Sequence, residues 1–232
     1  MGTGEGWRCW EVGAGGPTVA AWLAGRVGPT GSVVATDLDL AWMGEPAPRG
    51  VTALVHDVTA EPPPGGPFDL IHARLLLVHL PARTEVAATL AAALRPGGWL
   101  VLEDADPALQ PLACIDERGP AQQLANRIRA GFRALLADRG ADVAFGRTLP
   151  GLLRDVGLVD VTADASFPVA GPLAIVLERA TVEQTRAGRV AAGLATDDEV
   201  DHHLANLAGG WLDLTTAPLV SARGRRPPPA DG

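Results

Sequence analysis

Short apolar runs alternate with longer amphipathic stretches from residue 7 onward. The runs have the length of strands, and the stretches between them repeat their apolar residues with helical spacing, which is typical of a parallel sheet covered by helices. Strands are predicted at residues 7–12, 32–36, 51–55, 68–73, 99–103, 159–166 and 214–222. Helices are predicted at residues 17–27, 83–94, 122–139, 149–156 and 172–208, with a short one from residue 39. The pattern therefore predicts an α/β fold with a doubly wound, mostly parallel seven-stranded sheet and helical cap insertions.

One domain is predicted to span residues 1–223, since the sequence shows no internal repeat and no clear second domain. Its first half, about residues 7–105, holds five of the predicted strands, and helices around 107–140 and 172–210 are expected to form a cap. Residues 224–232 include two arginines and a run of prolines, and we expect them to form a disordered tail.

The composition excludes several kinds of partner. The chain has 232 residues, and its 27 acidic and 19 basic side chains give a net charge of −8. Nucleic acids attract clustered positive charge, whereas the arginines here are scattered, so no nucleic-acid partner is expected. No apolar stretch reaches the ~18 residues of a membrane helix, and no basic segment leads into an apolar one, so neither a membrane nor secretion is expected. Two cysteines form no disulfide framework, which favours a cytoplasmic protein. A homodimer remains an open alternative for the oligomeric state.

Polar residues follow the predicted strands in an ordered set. In an open parallel sheet, ligands bind beyond the carboxyl ends of the strands, so these residues are the first candidates for a site. They are Glu11 to Gly16, Asp37, His56 to Val58, His72 to Arg74, and Glu103 to Asp106. Their common edge favours binding over the simpler interpretation of separate turns and helix caps.

A glycine turn and one aspartate indicate an adenosine ligand. The turn Gly13 to Gly16 lets the backbone approach a ligand, and free N–H groups at the next helix offer donors. Asp37 ends the second strand, where it can accept hydrogen bonds from both ribose hydroxyls. A dinucleotide fingerprint would need glycine at position 18, where Thr18 stands. Glu11 suits an ammonium or sulfonium ligand better than a pyrophosphate, and S-adenosylmethionine carries both cations.

Five stretches in this order resemble the class I S-adenosylmethionine-dependent methyltransferases, in particular the bacterial small-molecule enzymes. The stretches are Glu11-Val12-Gly13-Ala14-Gly15-Gly16, Val34 to Asp37, His56-Asp57-Val58, Phe68 to Arg74 and Leu94 to Trp99. The resemblance implies a Rossmann-like methyltransferase fold, S-adenosyl-L-methionine as cofactor, and methyl transfer to an oxygen, nitrogen or carbon atom of a small molecule.

The same resemblance implies roles for individual residues. Gly13 and Gly15 are expected to approach the methionine part of the cofactor, and Asp37 to hold its ribose. Asp57 and Val58 are expected to flank the adenine, and Ala73 to lie near the methyl donor. The remaining cofactor contacts expected on these stretches are Glu11, Ala14, Leu38 and Arg74.

Two departures from the family leave alternatives open. Pro17 stands where the family has a third glycine, and proline removes an N–H that could meet the cofactor carboxylate. The first strand begins about six residues from Met1, where the family has preceding helices. Three alternatives follow: the start is assigned too late, the chain is truncated, or the later helices serve as the lid. The alternative function is a catalytically impaired S-adenosylmethionine-binding domain. A nicotinamide-dependent oxidoreductase is disfavoured by Thr18 and Glu11.

Two histidines are candidates for proton transfer. His79 is the first and His72 the second, both from their position at or after the fourth strand. The pair His202-His203 suggests a metal at first sight, but adjacent helical residues point apart and no cysteine accompanies them. We therefore expect a solvated helix face there and no metal.

Overall fold

The computed structural model describes residues 3–228, which form two compact units. The first unit contains residues 3–104, 147–164 and 220–228, and the second contains residues 105–146 and 165–219. The second unit holds the helices predicted as a cap. The single-domain assignment of residues 1–223 stays a prediction.

One seven-stranded mixed sheet organises the first unit, in the order β3-β2-β1-β4-β5-β7-β6. Its strands are β1 (Arg8–Val12), β2 (Ser32–Asp37), β3 (Val51–Val55), β4 (Phe68–Arg74), β5 (Leu94–Ala105), β6 (Val159–Ser166) and β7 (Leu219–Arg225). The pairs β1–β2, β1–β4, β2–β3 and β4–β5 are parallel. The strand order reverses between β1 and β4, and in doubly wound sheets ligands bind at this point.

Helices accompany both units. They are α1 (Pro17–Val27), α2 (Arg83–Ala93), α3 (Pro120–Asp138), α4 (Leu149–Asp155), α5 (Pro172–Ala191) and α6 (Asp197–Ala208), with short 3-10 helices at Leu77–His79 and Gly146–Thr148. Helix α1 begins at Pro17, where the missing N–H costs nothing, and ends before Gly28 at φ 68°. Its buried stripe of Ala20, Leu23 and Val27 packs against the β-sheet residues of the core.

The core of the first unit continues through β1. Cys9, Trp10 and Val12 are buried, and the Trp10 indole donates to Thr36 Oγ1 at 2.9 Å. Because that hydrogen bond joins β1 to β2, it helps to fix the two strands whose ends carry Gly13 and Asp37.

Several element bounds differ from the sequence predictions. No helix forms from residue 39, where a turn over residues 41–43 leads to β3. Residues 192–196 interrupt the helix predicted over 172–208, because Gly193 adopts φ 67° and Thr196 then caps α6 through a capping box with Glu199. Strand β5 begins at Leu94 rather than Trp99, with an irregular register between Phe68 and Leu70 of its partner strand.

The last strand is shifted toward the carboxyl end. Strand β7 runs to Arg225, so Gly224 and Arg225, assigned from the sequence to the tail, belong to the sheet. Arg226 follows them, and its N–H donates to Gly98 O at 2.9 Å while its own carbonyl accepts from Gly97 N. These backbone hydrogen bonds hold Arg226 against the segment at Gly97 and Gly98, although arginine and proline here favour a loop. Residues 229–232 of the predicted tail lie outside the described residues.

Helices α3, α5 and α6 build the core of the second unit. Its buried apolar residues include Leu124, Ile128, Val182 and Val200. The interior also holds charged groups, with Arg129, Glu178 and Arg189 all buried. His203 is fully buried too, so the sequence expectation of a solvated face holds only for its exposed neighbour His202.

Within residues 3–228, none of the helices has the length and apolarity needed to cross a membrane. Over the same range, no cluster of three or more histidine, cysteine, aspartate or glutamate side chains has a geometry suited to a metal ion.

Candidate active site

The turn between β1 and α1 presents bare backbone at the carboxyl edge of the sheet. Gly13 and Gly15 adopt φ 63° and φ 60°, in the left-handed region that side chains disfavour. The Ala14 N–H between them donates to Thr36 O at 2.9 Å, which ties the turn to β2. A Cβ atom built on Gly15 would meet nothing within 4 Å. The peptide at Gly15 is therefore open to a ligand.

Asp37 lies against this turn. Its Oδ2 accepts the Gly15 N–H at 2.8 Å, and its Oδ1 accepts the Asp39 N–H at 3.1 Å. The carboxylate is half-buried, at the last residue of β2. Each oxygen keeps further lone pairs for hydroxyl donors. The structure thus brings together the two features that the sequence reasoning placed at one site.

Exposed apolar residues neighbour Asp37 along the chain or in the sheet. Leu38 is 69% exposed, and Val55, the register partner of Asp37 on β3, is 67% exposed. Trp42 is 80% exposed, and its carbonyl lies 3.6 Å from the position of a Cβ on Gly16. Exposed apolar groups beside a polar anchor suit a flat heterocycle such as a purine.

Asp57 stands after β3 and organises a turn. Its Oδ1 accepts the Thr59 N–H at 2.8 Å and the Thr59 hydroxyl at 2.6 Å, and these hydrogen bonds lower the pKa of the Asp57 carboxyl. The turn lies near Asp37, because the preceding His56 N–H donates to Asp37 O at 2.9 Å. Within residues 3–228, no hydrogen bond joins Asp57 to the glycine turn. Its half-buried neighbour Val58 belongs to the same turn.

A buried histidine between two carboxylates occupies the strand reversal. His72 on β4 is the register partner of Glu11 on β1, and its Nδ1 lies 2.6 Å from Glu11 Oε2. Its Nε2 lies 3.4 Å from Oε2 of Glu103 on β5. Glu11 is 2% exposed. Three adjacent strands therefore each supply one member of the cluster Glu11–His72–Glu103.

The three groups titrate abnormally for physical reasons. Burial alone would lower the pKa of His72, but hydrogen bonds and charge from Glu103 and Glu11 outweigh it and raise this pKa to about 9. Burial raises the pKa of Glu11, and the hydrogen bond from His72 offsets only part of that effect. The hydrogen bond from His72 lowers the pKa of Glu103. At neutral pH, His72 is therefore an imidazolium that donates from both nitrogens.

This cluster borders a cavity of about 330 Å³ on the α1 side of the sheet. His72 and Glu103 line it together with mostly apolar neighbours, among them Trp22, Leu70 and Val101. Apolar walls keep the local dielectric low, which strengthens the attraction within Glu11–His72–Glu103.

The end of β4 carries two further predicted residues. Ala73 is buried and pairs in register with Val12 and Leu102. Arg74 is exposed and pairs in register with Glu103. Its charge opposes part of the rise in the pKa of Glu11 and contributes to the lowered pKa of Glu103.

The loop after β4 places His79 and a residue that the sequence analysis missed. His79 ends a 3-10 helix, is exposed, and has no side-chain hydrogen bond among the described residues. Leu76 covers the glycine turn, with its Cδ1 2.8 Å from the position of a Cβ on Gly13. The sequence gives no local signal for this role of Leu76. The preceding residue, Leu75, adopts the left-handed conformation at φ 55°, which turns the chain just before Leu76.

Comparisons with known proteins agree with this architecture. The sequence profile of a family described as a methyltransferase domain matches residues 3–163. Methyltransferase str3 of Strobilurus tenacellus is 28% identical over 186 residues, covering 73% of this chain and 63% of the relative. Methyltransferase str2 of the same fungus is 33% identical over 143 residues, covering 60% and 48%. The chain thus spans about half to two-thirds of the length of these curated relatives.

Solved structures share the fold at low identity. Phosphoethanolamine N-methyltransferase 2 of Haemonchus contortus, solved with phosphomonomethylethanolamine and S-adenosylhomocysteine, has a TM-score of 0.53 and 16% identity, covering 98% of this chain and 50% of its own. A cyclopropane-fatty-acyl-phospholipid synthase-like protein of Lactobacillus casei has a TM-score of 0.55 and 16% identity, covering 96% and 85%. These likenesses confirm the Rossmann-like fold predicted from the sequence.

Proposed function

The chain belongs to the methyltransferase-domain family, and from this premise we propose that it methylates an oxygen, nitrogen or carbon atom of a small molecule. Dependence on S-adenosylmethionine follows from the family. The observation that carries the proposal is the Asp37 carboxylate, held 2.8 Å from the open Gly15 peptide at the strand reversal. A small acceptor, rather than a nucleic acid, is supported by the net charge of −8.

The residues present fit this cofactor. Asp37 offers acceptor oxygens to the two ribose hydroxyls, while Leu38, Asp57 and Val58 surround the place of the adenine. Gly13, Ala14 and Gly15 offer backbone to the methionine part, and nothing within 4 Å of a Cβ at Gly15 would obstruct it. Ala73 and Arg74 border the same edge through the register of β4 with β1 and β5.

Glu11 is suited to bind the cofactor's ammonium group. Its Oε2 is taken by His72, and its Oε1 has no hydrogen-bond partner among residues 3–228. A buried carboxylate with one free oxygen attracts a cation strongly, because the surroundings screen the charge weakly. Pro17 lacks one N–H, but Glu11 and the glycine turn leave other polar groups for the methionine end.

The chemistry requires alignment above all. Bound S-adenosylmethionine supplies a methyl group on a sulfonium, and transfer to the acceptor's lone pair leaves S-adenosylhomocysteine. Holding the two reactants in line can contribute about 7–11 kcal/mol in well-oriented systems. Asp37, Glu11 and the glycine turn would hold the methyl donor in position. Leu76 would exclude water above Gly13.

We assign different roles to the two histidines. His72 is a positioning residue: both of its nitrogens face carboxylates, so it holds Glu11 and has no lone pair for an acceptor's proton. His79 is exposed and carries no such partners, which leaves its imidazole able to take a proton. A base is needed only for acceptors that lose a proton on methylation.

Calorimetry followed by turnover assays tests the proposal. We expect S-adenosylhomocysteine to bind, nicotinamide dinucleotides not to bind, and labelled methyl to reach at least one member of a panel of small phenols, amines and acids. The Asp37→Asn variant should bind more weakly, with Asp39→Asn as its exposed neighbouring control. Absence of binding would refute the site, and binding without transfer to any acceptor would favour the catalytically impaired alternative.

A further inference from the structure

The second unit contains a cavity of about 220 Å³ that is lined by both polar and apolar residues. Helices α3 and α5 supply most of its wall, and Pro107 and the segment before β7 supply the rest. The residues that matter here are Arg129, Phe132, Leu177, Glu178, Thr181 and Thr216. A small concave site with a few convergent polar groups is the usual form of a ligand pocket.

Arg129 provides donors that the protein does not use. The residue is 9% exposed, and its Nη2 donates to Glu178 Oε2 at 2.5 Å and to Thr215 O at 3.1 Å. Its Nε and Nη1 have no hydrogen-bond partner within residues 3–228. Buried guanidinium groups normally find a partner for most of their N–H groups, so these two nitrogens are suited to an acceptor from outside the chain.

A second buried arginine makes the surroundings positive. Arg189 is 1% exposed, lies over the Phe132 ring at 5.5 Å, and its Nε and Nη1 also lack partners among the described residues. Burial lowers the pKa of Arg189, the charge of Glu178 opposes this, and the charge of Arg129 adds to it. Arg129 pairs directly with Glu178, and Arg189 is close enough for the Glu178 charge to act on it.

His203 is a further buried side chain beside Glu178. Its Nε2 lies 3.4 Å from Glu178 Oε1 without hydrogen-bonding geometry. Among the described residues, Arg129 alone hydrogen-bonds to Glu178, and no carboxylate hydrogen-bonds to Arg189. An unpaired buried charge costs several kcal/mol in general. An anionic ligand would offset that cost.

We propose that this cavity binds the carboxylate of a small organic acid, with the acid's apolar part against Phe132 and Leu177. Arg129 supplies the charge. Thr216 supplies a second donor, since its hydroxyl has no partner within residues 3–228, whereas the hydroxyls of Thr181 and Thr215 donate to Leu177 O and Leu112 O. One guanidinium group in the wall, next to apolar side chains, matches a monocarboxylate better than inorganic phosphate.

All residues that line the cavity belong to the second unit, whereas the proposed cofactor site belongs to the first, so acid binding can be measured without methyl transfer. The further idea that such acids are methyl acceptors rests on the proposed function. It agrees with the sequence expectation that helices around 107–140 and 172–210 bind the acceptor. Binding and turnover are therefore measured separately.

The direct test uses benzoate and butyrate as probes, each compared with its neutral amide, on the full chain. We expect both acids to raise the melting temperature beyond chloride at equal ionic strength. Calorimetry should show benzoate binding about tenfold or more tightly than benzamide, because a hydrogen bond to a charged group is worth about that factor. No shift with either acid, or equal binding of acid and amide, overturns the proposal.

Variants place the binding in the cavity. Thr216→Val should weaken benzoate binding about threefold to tenfold, as expected for one lost hydrogen bond. Arg129→Met alone would strand Glu178, so both are changed together in Arg129→Met with Glu178→Met. This removes the guanidinium donors that line the cavity, whereas Arg189 does not line it, and the preference for the acid over the amide should fall about tenfold. Arg127→Gln, on the exposed side of α3, is the matched control and should bind normally. Unchanged binding in both Thr216→Val and the double variant contradicts the site.

Discussion

His72 and Glu11 are joined across the strand reversal, with Nδ1 of the imidazole 2.6 Å from Oε2 of the carboxylate. The two residues are register partners on parallel strands, and both are buried. An ion pair in this position holds Glu11 in place two residues before the glycine turn begins. In the proposed function, the pair would therefore connect the packing of the sheet to the binding of the cofactor.

Substitution of His72 should weaken cofactor binding without changing the chemical step. His72→Phe leaves Glu11 without its donor, and we expect the Kd for S-adenosylhomocysteine to rise about tenfold or more, the value of one charge-assisted hydrogen bond. His72→Gln can still donate to Glu11 and should recover part of the affinity. Calorimetry measures Kd, and kcat at saturating cofactor should stay close to that of the wild type. If kcat instead falls by orders of magnitude in both variants, His72 is a proton-transfer group.

The same histidine should make stability depend on pH. Its pKa rises from the model-compound value of 6.5 to about 9 in the folded chain, so the folded state binds the proton more tightly. The resulting stabilisation is fully present below about pH 6.5 and is lost as the pH rises toward 9. Melting temperatures between pH 6 and pH 10 should fall more steeply for the wild type than for His72→Gln. Parallel curves for the two proteins would contradict the assignment.

The amino-acid pattern predicted both members of this pair but not their contact. Glu11 and His72 were singled out because each stands at the end of a strand, which periodicity reveals. Their hydrogen bond depends on the register between β1 and β4, and no local signal encodes register between strands 61 positions apart in the chain. Asp37 and Gly15 were easier to pair, because consecutive strands of a βαβ unit lie side by side.

Alanine substitutions in the glycine turn should separate backbone strain from ligand contact. Gly15→Ala places a side chain at φ 60°, which costs about 1–2 kcal/mol of unfolding free energy, and its methyl group enters the open space meant for the cofactor. We expect a modest loss in urea stability and a large loss of S-adenosylhomocysteine binding. Gly16→Ala is the control, since Gly16 has extended backbone and its Cβ would meet only Trp42 O at 3.6 Å. Equal affinities of the two variants would show that the cofactor does not pass over Gly15.

The Asp37 carboxylate should account for much of the nucleoside affinity. Asp37→Asn keeps the size of the side chain and one acceptor for Gly15, but it replaces a charged acceptor by a neutral one. A ribose hydroxyl bound to a charged group contributes about 1.5–3 kcal/mol, so the Kd for S-adenosylhomocysteine should rise about tenfold to hundredfold. Calorimetry with Asp39→Asn in parallel controls for a general change in charge. Equal losses in both variants would argue against a specific contact.

Helical periodicity explains what the sequence could and could not indicate in the second unit. Adjacent residues on a helix point apart. This geometry predicted no metal at His202-His203, and it also allows one of the two histidines to face inward while the other stays exposed. His203 is that residue, buried where α6 packs against α3 and α5. The sequence did not show which histidine would be buried, because the core of this unit includes charged residues such as Arg129 and Glu178 alongside apolar ones.

His79 should matter only for acceptors that must lose a proton. Its 3-10 helix is fixed by the Val78 N–H, which donates to Asp104 Oδ2 at 3.2 Å, while the His79 side chain stays exposed and free of hydrogen bonds among residues 3–228. For a phenolic acceptor, His79→Ala should lower kcat about a hundredfold near neutral pH, the usual contribution of a general base. The loss should shrink at high pH, where the phenol ionises without help. Initial rates of methyl transfer between pH 6 and pH 10 measure this profile. A turnover number unchanged at every pH would remove His79 from the mechanism and leave alignment alone as the source of the rate.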